Sequence, residues 1–276
     1  MAEHTGGGGA ATHAGTNYQD YVAAWTAVQI LAEQDVSPPW DLPANATLET
    51  LHAEAPNPID DLMVETSAGG RALAQAKHTV TLATTPGSPL GSTVAQFVRE
   101  FADANPVFDP AKDRFILVTS PQSSAPIKVD LRAFLHRLRT SPHPDDEWTA
   151  GSQDQQDAAR VLREHLNREW EALRGAPPSD AEMNALTRLI HLHILDVDPG
   201  GHDAKHAKDT LRQRILKDPT RADNAWTTLI TTTGEYAANH QRADRTALQR
   251  ALTDAGIDLQ AQRSYREDTC QRRGPR

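Results

Sequence analysis

The sequence of this 276-residue chain predicts an α/β fold, in which helices flank a mixed sheet, followed by a mainly α-helical domain. Two observations predict this arrangement. Between residues 15 and 120, segments with helical and strand periodicity follow the order helix, three strands, helix, strand. Beyond residue 120, apolar residues recur mainly at helical spacing. No apolar stretch approaches the roughly 18–20 residues that span a bilayer, so we expect no membrane association.

The first part contains six elements. A helix is predicted from Tyr18 to about residue 33, because Tyr21, Trp25 and Val28 recur at helical spacing. A small-residue turn, Ser67 to Gly70, separates the second and third strands and is suited to a hairpin. The first three strands are expected at residues 46–53, 59–66 and 71–80, the second helix at 92–104, and the final strand at 114–119.

The second part is interpreted as helical, with a short strand predicted at residues 190–197. Ser179 with Glu182 forms a capping-box pattern, and Asp244 precedes an apolar-periodic run as an N-cap would. The predicted helices cover residues 130–139, 153–173, 179–189, 203–216, 222–236 and 244–255.

The residues with the clearest chemical pattern lie on the second and third predicted strands. Asp60 and Asp61 stand where the second strand begins, and Gln75 and Lys77 alternate on the third. Alternate side chains of a strand share a face, so Gln75 and Lys77 are expected to point the same way. Asp61 is favoured over Asp60 because it directly precedes the apolar run. A shift of one residue in register would exchange the two, so both remain candidates.

This set of side chains suits phosphodiester hydrolysis. Mg²⁺ or Mn²⁺ prefers hard oxygen ligands, which the Asp61 carboxylate, the Gln75 amide and the Ala76 backbone carbonyl can supply. Such a metal lowers the pKa of a bound water and neutralises phosphate charge. Lys77 can orient that water and offset the negative charge that develops in the transition state.

The same residues resemble a known nuclease signature. Asp61 with Gln75-Ala76-Lys77 is similar to the PD-(D/E)xK motif, in the variant with Gln at the second acidic position. Upstream, Gly15 to Gln19 resembles the Gly-x-x-Tyr-Gln opening of the double-stranded-DNA nuclease domain used as an effector in bacterial anti-phage systems.

The resemblance covers about residues 15–120 and implies a restriction-endonuclease-like fold that cleaves DNA. It also implies that Gln19 enters the site from the first helix, with Glu54 as a further acidic candidate. Two departures are visible: Pro58 lies two residues before Asp60, and no Gly-x-x-x-x-Gly-Lys-Ser/Thr motif occurs anywhere. A sensor or ATPase partner is therefore expected to provide any trigger.

These expectations divide the chain into four parts. We expect a disordered tail at residues 1–14, a nuclease domain at 15–145, a helical regulatory or oligomerisation domain at 150–258, and a flexible tail at 259–276. Because one site cuts one strand, cleavage of both strands predicts a homo-oligomer. The single cysteine, Cys270, excludes an internal disulfide and favours the cytoplasm.

Three observations keep alternatives open. A net charge of -9 disfavours a generic DNA-binding protein, although a local basic strip and bound metal can coexist with an acidic body. The Gln at the metal site leaves open a non-catalytic partner-binding module on the same fold, and the scaffold also leaves open an RNase. His191 and His193 alternate on a predicted strand, but no complete zinc ligand set accompanies them, so structural roles are favoured.

Overall fold

The computed structural model describes residues 8–33, 39–54, 58–59, 61–103 and 108–261, with side chains from Tyr18 onward. Its centre is a six-stranded mixed sheet in the order β5-β4-β3-β2-β1-β6. The strands are β1 (Leu48–Ala53), β2 (Leu62–Thr66), β3 (Arg71–Lys77), β4 (Arg114–Thr119), β5 (Ile190–Ile194) and β6 (Arg242–Asp244).

The helices of the first part lie close to their predicted positions. Helix α1 (Gly8–Ala32) comes before the sheet, and α2 (Pro89–Asp103) connects β3 with the parallel strand β4. A π-helical turn, Pro126–Leu131, precedes α3 (Arg132–Thr140), and a single turn, α4 (Pro144–Glu147), follows it.

The helices of the second part confirm several predicted boundaries. Ser179 and Glu182 form the predicted capping box at the start of α6, and the Asp244 side chain caps α9. The helices are α5 (Gln153–Arg174), α6 (Asp180–Leu189), α7 (His202–Thr210), α8 (Ala222–Ala238) and α9 (Arg245–Asp254).

The sheet combines an antiparallel meander with parallel strand pairs. Strands β1, β2 and β3 are antiparallel neighbours, whereas β4 is parallel to both β3 and β5. All six residues of β4 are buried, as expected for a strand covered on both faces. The observed mixed sheet confirms the predicted α/β class.

Each face of the sheet is covered by its own apolar core. Helices α1, α7, α8 and α9 pack on one face against the β3 residues Ala72, Ala74 and Ala76. Helices α2, α3, α5 and α6 pack on the other face, where Leu73 of β3 lies.

Two predictions on domain organisation need correction. The division between 15–145 and 150–258 does not match the packing, because β5 and β6 complete the same sheet and both cores include residues from both parts. Of the predicted tail at 1–14, residues 8–14 belong to α1, as suits an alanine-rich segment, and residues 1–7 lie outside the described residues. Most of the predicted 259–276 tail also lies outside them.

Within the described part of the chain, the helices are too short or too polar to cross a bilayer.

Candidate functional site

The predicted site residues lie at the end of the sheet where β2 begins and β3 ends, which is called the β2–β3 edge below. In the antiparallel register of these strands, Leu62 is opposite Ala74. Asp61 directly precedes Leu62, so its backbone lies beside the final residues of β3. The structure therefore brings Asp61 next to Gln75 and Ala76 in the sheet, as the sequence predicts. Asp60, the alternative carboxylate, lies outside the described residues.

The Asp61 carboxylate occupies the gap between the two strands. Its Oδ2 accepts a hydrogen bond from the backbone N–H of Ala76 at 2.7 Å. In an antiparallel ladder the N–H and C=O of one residue point toward the same neighbouring strand. The Ala76 carbonyl therefore points to the Asp61 side of β3, so a carboxylate and a backbone carbonyl oxygen are directed to the same strand edge.

Gln75 is a buried polar residue of the central sheet. Its side chain lies on the same face of the sheet as Leu73, which is the face that α1 does not cover. Gln75 is 1% exposed. Its side-chain Oε1 is buried and has no hydrogen-bond partner among the described residues. A buried carbonyl without a partner costs about 1–3 kcal/mol, and such an exception in a native structure calls for a specific explanation.

Lys77 ends β3 on the same face as Gln75. It is paired in register with Thr119 of β4, whose hydroxyl donates to the Lys77 carbonyl at 2.7 Å and lies 2.5 Å from the Ser123 hydroxyl. These contacts hold the end of the strand in place. The Lys77 ammonium is partly exposed and forms no ion pair with any residue that the structure describes.

His78 lies on the opposite face from Lys77, which confirms the predicted alternation. Its ring contacts the Tyr18 ring with centroids 5.1 Å apart, and its Nε2 lies 2.9 Å from the Asp198 carboxylate. Tyr18 in turn donates to the Leu195 carbonyl at 3.0 Å. These contacts give His78 a structural role that joins α1 to the segment after β5.

A cleft of about 780 Å³ opens beside Asp61, between α1, the end of β1 and α8. Three predicted site residues line it, namely Gln19, Glu54 and Asp61. Gln75 and Lys77 do not line this cleft within the described structure. The predicted residues are therefore divided between the two faces of β3, and Asp61 is the residue that adjoins both groups.

Glu54 is held close to Asp61 by the backbone. The Glu54 N–H donates to the Asp61 carbonyl at 3.2 Å, and His240 Nδ1 donates to the Glu54 carbonyl at 2.8 Å. Glu54 adopts a left-handed backbone conformation with φ 50°. A non-glycine residue in this region is strained by roughly 1–3 kcal/mol, and such strain is most often found at functional sites.

The far wall of the cleft was not foreseen from the sequence. Asp20 on α1 and Glu235 on α8 line it together with Glu54 and Asp61, so four carboxylates border one opening. Partial burial raises the pKa of Asp20 above its ordinary value. The helical periodicity of α8 gave no signal for this position, because the contact joins segments far apart in sequence.

The oxygen atoms at the β2–β3 edge are suitable ligands for a hard divalent cation. The Asp61 carboxylate, the buried Gln75 Oε1 and the Ala76 carbonyl are all oxygens, which Mg²⁺ and Mn²⁺ prefer. The described residues include no group of three His, Cys, Asp or Glu side chains arranged to hold a metal. A metal at this edge would therefore depend on amide and backbone oxygens as well as on Asp61.

No protein-family model matches the chain, and a search of curated proteins gives no match. Among solved structures, the chain is similar to the Acinetobacter baumannii Cap4 SAVED/CARF-domain containing receptor with the cyclic trinucleotide 2'3'3'-cAAA, at 13% identity and a TM-score of 0.47. The alignment covers 92% of this chain and 47% of the receptor. For the Moraxella osloensis Cap4 receptor the identity is 12% and the TM-score 0.47, with 88% and 47% of the chains covered. The chain thus spans about half the length of these structures.

Proposed function

We propose that this protein is a Mg²⁺- or Mn²⁺-dependent DNA endonuclease on a restriction-endonuclease-like core. The observation that carries the proposal is the β2–β3 edge. There the Asp61 carboxylate accepts a hydrogen bond from Ala76 N–H, beside Lys77 and beside the Gln75 Oε1, which has no partner among the described residues. The chain order of α1, an antiparallel β1–β2–β3 meander, α2 and a parallel β4 supports the same core.

The residues divide the chemistry between them. Asp61, Gln75 and the Ala76 carbonyl would hold the metal, which when bound supplies an activated water and neutralises phosphate charge. Lys77, at the end of β3, orients the attacking water and offsets the charge that develops on the phosphate. Because Lys77 forms no ion pair within the described structure, its ammonium is available for that role.

The acidic cleft supports a positioning role for the other candidates. Gln19 and Glu54 line it beside Asp61, and the left-handed Glu54 is fixed by its bond to the Asp61 carbonyl. Gln19 and Glu54 therefore act from the α1 side of the sheet, whereas Gln75 and Lys77 act from the other side. Asp60 belongs to the proposed site by its adjacency to Asp61 in the sequence.

The wider biological role rests on the sequence resemblance. The PD-(D/E)xK-like residues imply an effector of bacterial anti-phage defence in the cytoplasm, which cuts double-stranded DNA after assembly or activation. One site cuts one strand, so we propose a homo-oligomer, with a sensor or ATPase partner as the trigger.

The test is plasmid cleavage with Mg²⁺ or Mn²⁺ by wild type, Lys77→Ala and Asp61→Asn. The Asn side chain retains an oxygen that can accept from Ala76 N–H, so Asp61→Asn removes the charge while conserving the shape. Each variant is expected to lose about 100-fold or more in rate, the usual effect of removing one group that stabilises a transition state. Lys205→Ala, at an exposed lysine of α7, is the matched control and should cut like wild type.

The outcomes separate the rival functions. Equal cutting by wild type and both site variants would contradict the proposed site. Cleavage of RNA but not DNA would favour an RNase on the same scaffold. If the oligomeric protein cuts neither DNA nor RNA with either metal, the result would favour a non-catalytic partner-binding module.

A further inference from the structure

The chain is acidic overall, but one side of α3 and the preceding π-helical turn is basic. The segment 126–140 contains Lys128, Arg132, Arg137 and Arg139 with a single carboxylate, Asp130, in a protein of net charge -9. A local basic surface can hold an anion even when the whole chain is acidic.

Three of the four cations, Lys128, Arg132 and Arg139, lie on one flank of the helix. Arg132, His136 and Arg139 follow one another at intervals of four and three residues, so they share one side. Lys128 precedes Arg132 by four residues and extends the same row. The row Lys128, Arg132, His136 and Arg139 is called the α3 flank below.

The α3 flank borders the edge strand of the sheet. Arg139 donates to the Ile190 carbonyl at the start of β5 at 2.8 Å, and Arg132 is close enough to His193 to help lower the pKa of that histidine. Strand β5 ends the sheet on this side within the described structure. The flank therefore runs along an open rim of the sheet.

Two cations of the flank form no ion pair with a described residue. Arg132 is exposed, and the partly exposed Lys128 donates to the Pro121 carbonyl, a neutral partner that leaves its charge uncompensated. Arg139, in contrast, is paired with Asp41 at 2.9 Å and serves the fold. Arg137 lies on the other flank, where it pairs with Glu147 at 3.0 Å.

One end of the flank lies close to the proposed site. The carboxyl ends of the parallel strands β3 and β4 lie at the same edge, where Lys77 is paired with Thr119. Residues 120–125 then lead directly to the turn that contains Lys128, which is itself bonded to Pro121. The turn and α3 return along the sheet on the face that Gln75 and Lys77 also occupy.

The dimensions match the backbone of a duplex. From Lys128 to Arg139 the helical rise is about 16 Å. Phosphates of one DNA strand advance by about 3.4 Å along the axis, so the flank spans about five of them. A row of cations at this spacing is the feature that binds a phosphate backbone without reading its sequence.

We propose that the α3 flank binds the phosphate backbone of double-stranded DNA and leads it to the β2–β3 edge, with Lys128 and Arg132 as the main contacts. This inference rests on the proposed function for its choice of DNA. It makes the flank the local basic surface that allows an acidic protein to hold an anionic substrate.

The test compares DNA binding by Lys128→Gln/Arg132→Gln with a matched double variant. Affinity for a labelled DNA duplex is measured by fluorescence anisotropy in EDTA at several KCl concentrations. Arg160→Gln/Lys205→Gln removes the same net charge from exposed positions on α5 and α7. The flank variant is expected to bind about tenfold more weakly and to show a log–log salt slope lower by about 1–2 units, whereas the control keeps the wild-type values.

Unchanged binding by the flank variant, or an equal loss in the control, would overturn the inference, as would wild type that fails to bind duplex at low salt. Loss of RNA binding with intact duplex binding would also overturn it. Plasmid cleavage read in parallel separates the two proposals. Wild type that binds through the flank but never cuts would remove the nuclease function and keep the surface. A flank variant that cuts as well as wild type would keep the nuclease function and remove the surface.

Discussion

Gln75 and Arg114 are both polar residues buried in adjacent strands, but their surroundings differ. Arg114 is 5% exposed, and its guanidinium donates to the carbonyls of Trp40, Pro110 and Asp41. Gln75 is 1% exposed, and its Oε1 has no partner among the described residues. A buried polar group with all its bonds made stabilises the fold, whereas one that lacks a partner destabilises it unless a ligand completes the site.

The bonds of Arg114 stabilise a strained turn at that corner of the sheet. Trp40 and Asp41 adopt left-handed backbone conformations with φ 65° and 52°, which is unfavourable for such residues. Arg114 holds both of their carbonyls, and Arg139 binds the Asp41 carboxylate at 2.9 Å. The strain in this turn is thus balanced locally by bonds to Arg114 and Arg139. At Gln75, by contrast, the buried Oε1 has no hydrogen-bond partner among the described residues.

The largest effect on stability is expected for Arg114→Met. Methionine retains much of the side-chain volume but donates no hydrogen bonds, so the buried Trp40 carbonyl and the Asp41 carbonyl lose their partner. The free energy of unfolding should fall by about 3–5 kcal/mol, measured by urea denaturation. Arg160→Met, at an exposed position on α5, is the control and should change it by less than about 0.5 kcal/mol. A small loss at Arg114 would mean that the turn does not need its bonds.

A pH-dependent loss is expected from His193, which accepts a hydrogen bond from Trp40 Nε1 at 2.9 Å. Burial lowers the pKa of His193 from 6.5 to about 4. Between these values the unfolded chain binds a proton that the folded chain does not, so the stability is complete above pH 6.5 and is lost as the pH falls toward 4. The linked loss is about 3 kcal/mol at pH 4.

Calorimetric Tm values for wild type and His193→Gln across this pH range test the expectation. Glutamine offers an oxygen to Trp40 but does not titrate, so the variant should show a shallower decline on acidification. His206→Gln, at an exposed position on α7, should follow wild type. Parallel curves for all three proteins would show that His193 is not a source of the acid sensitivity.

The local features of the fold were predictable from the sequence, and the long-range ones were not. Strand β4 has the predicted bounds, because its continuous apolar run is buried on both faces. The alternation of Gln75 and Lys77 against His78 also follows directly from strand geometry. In contrast, β6 pairs with β1 across most of the chain, and no local pattern indicates that partnership.

The site shows the same limit. Asp61 was placed correctly beside β3, since a hairpin needs only neighbouring segments. The division of the candidates between two faces was not foreseen, because Gln19 and Glu54 meet Asp61 through the packing of α1 and α8 around a cleft. The same long-range packing places α5–α9 against the sheet, although the predicted domain boundary separated these helices from it.

The smallest effect on stability is expected for Gln75→Met, and this variant tests the comparison most directly. Methionine has a similar volume and lacks the unpartnered carbonyl, so the free energy of unfolding should change by less than about 1 kcal/mol or increase. Cleavage should nevertheless fall, because the variant removes a proposed metal ligand. Urea denaturation and plasmid cleavage on the same preparation separate the two properties. A loss of stability as large as that of Arg114→Met would show that the Gln75 amide supports the fold after all. Stability that is unchanged, together with lost cutting, would place Gln75 at the site because a structural role would not produce that pair of results.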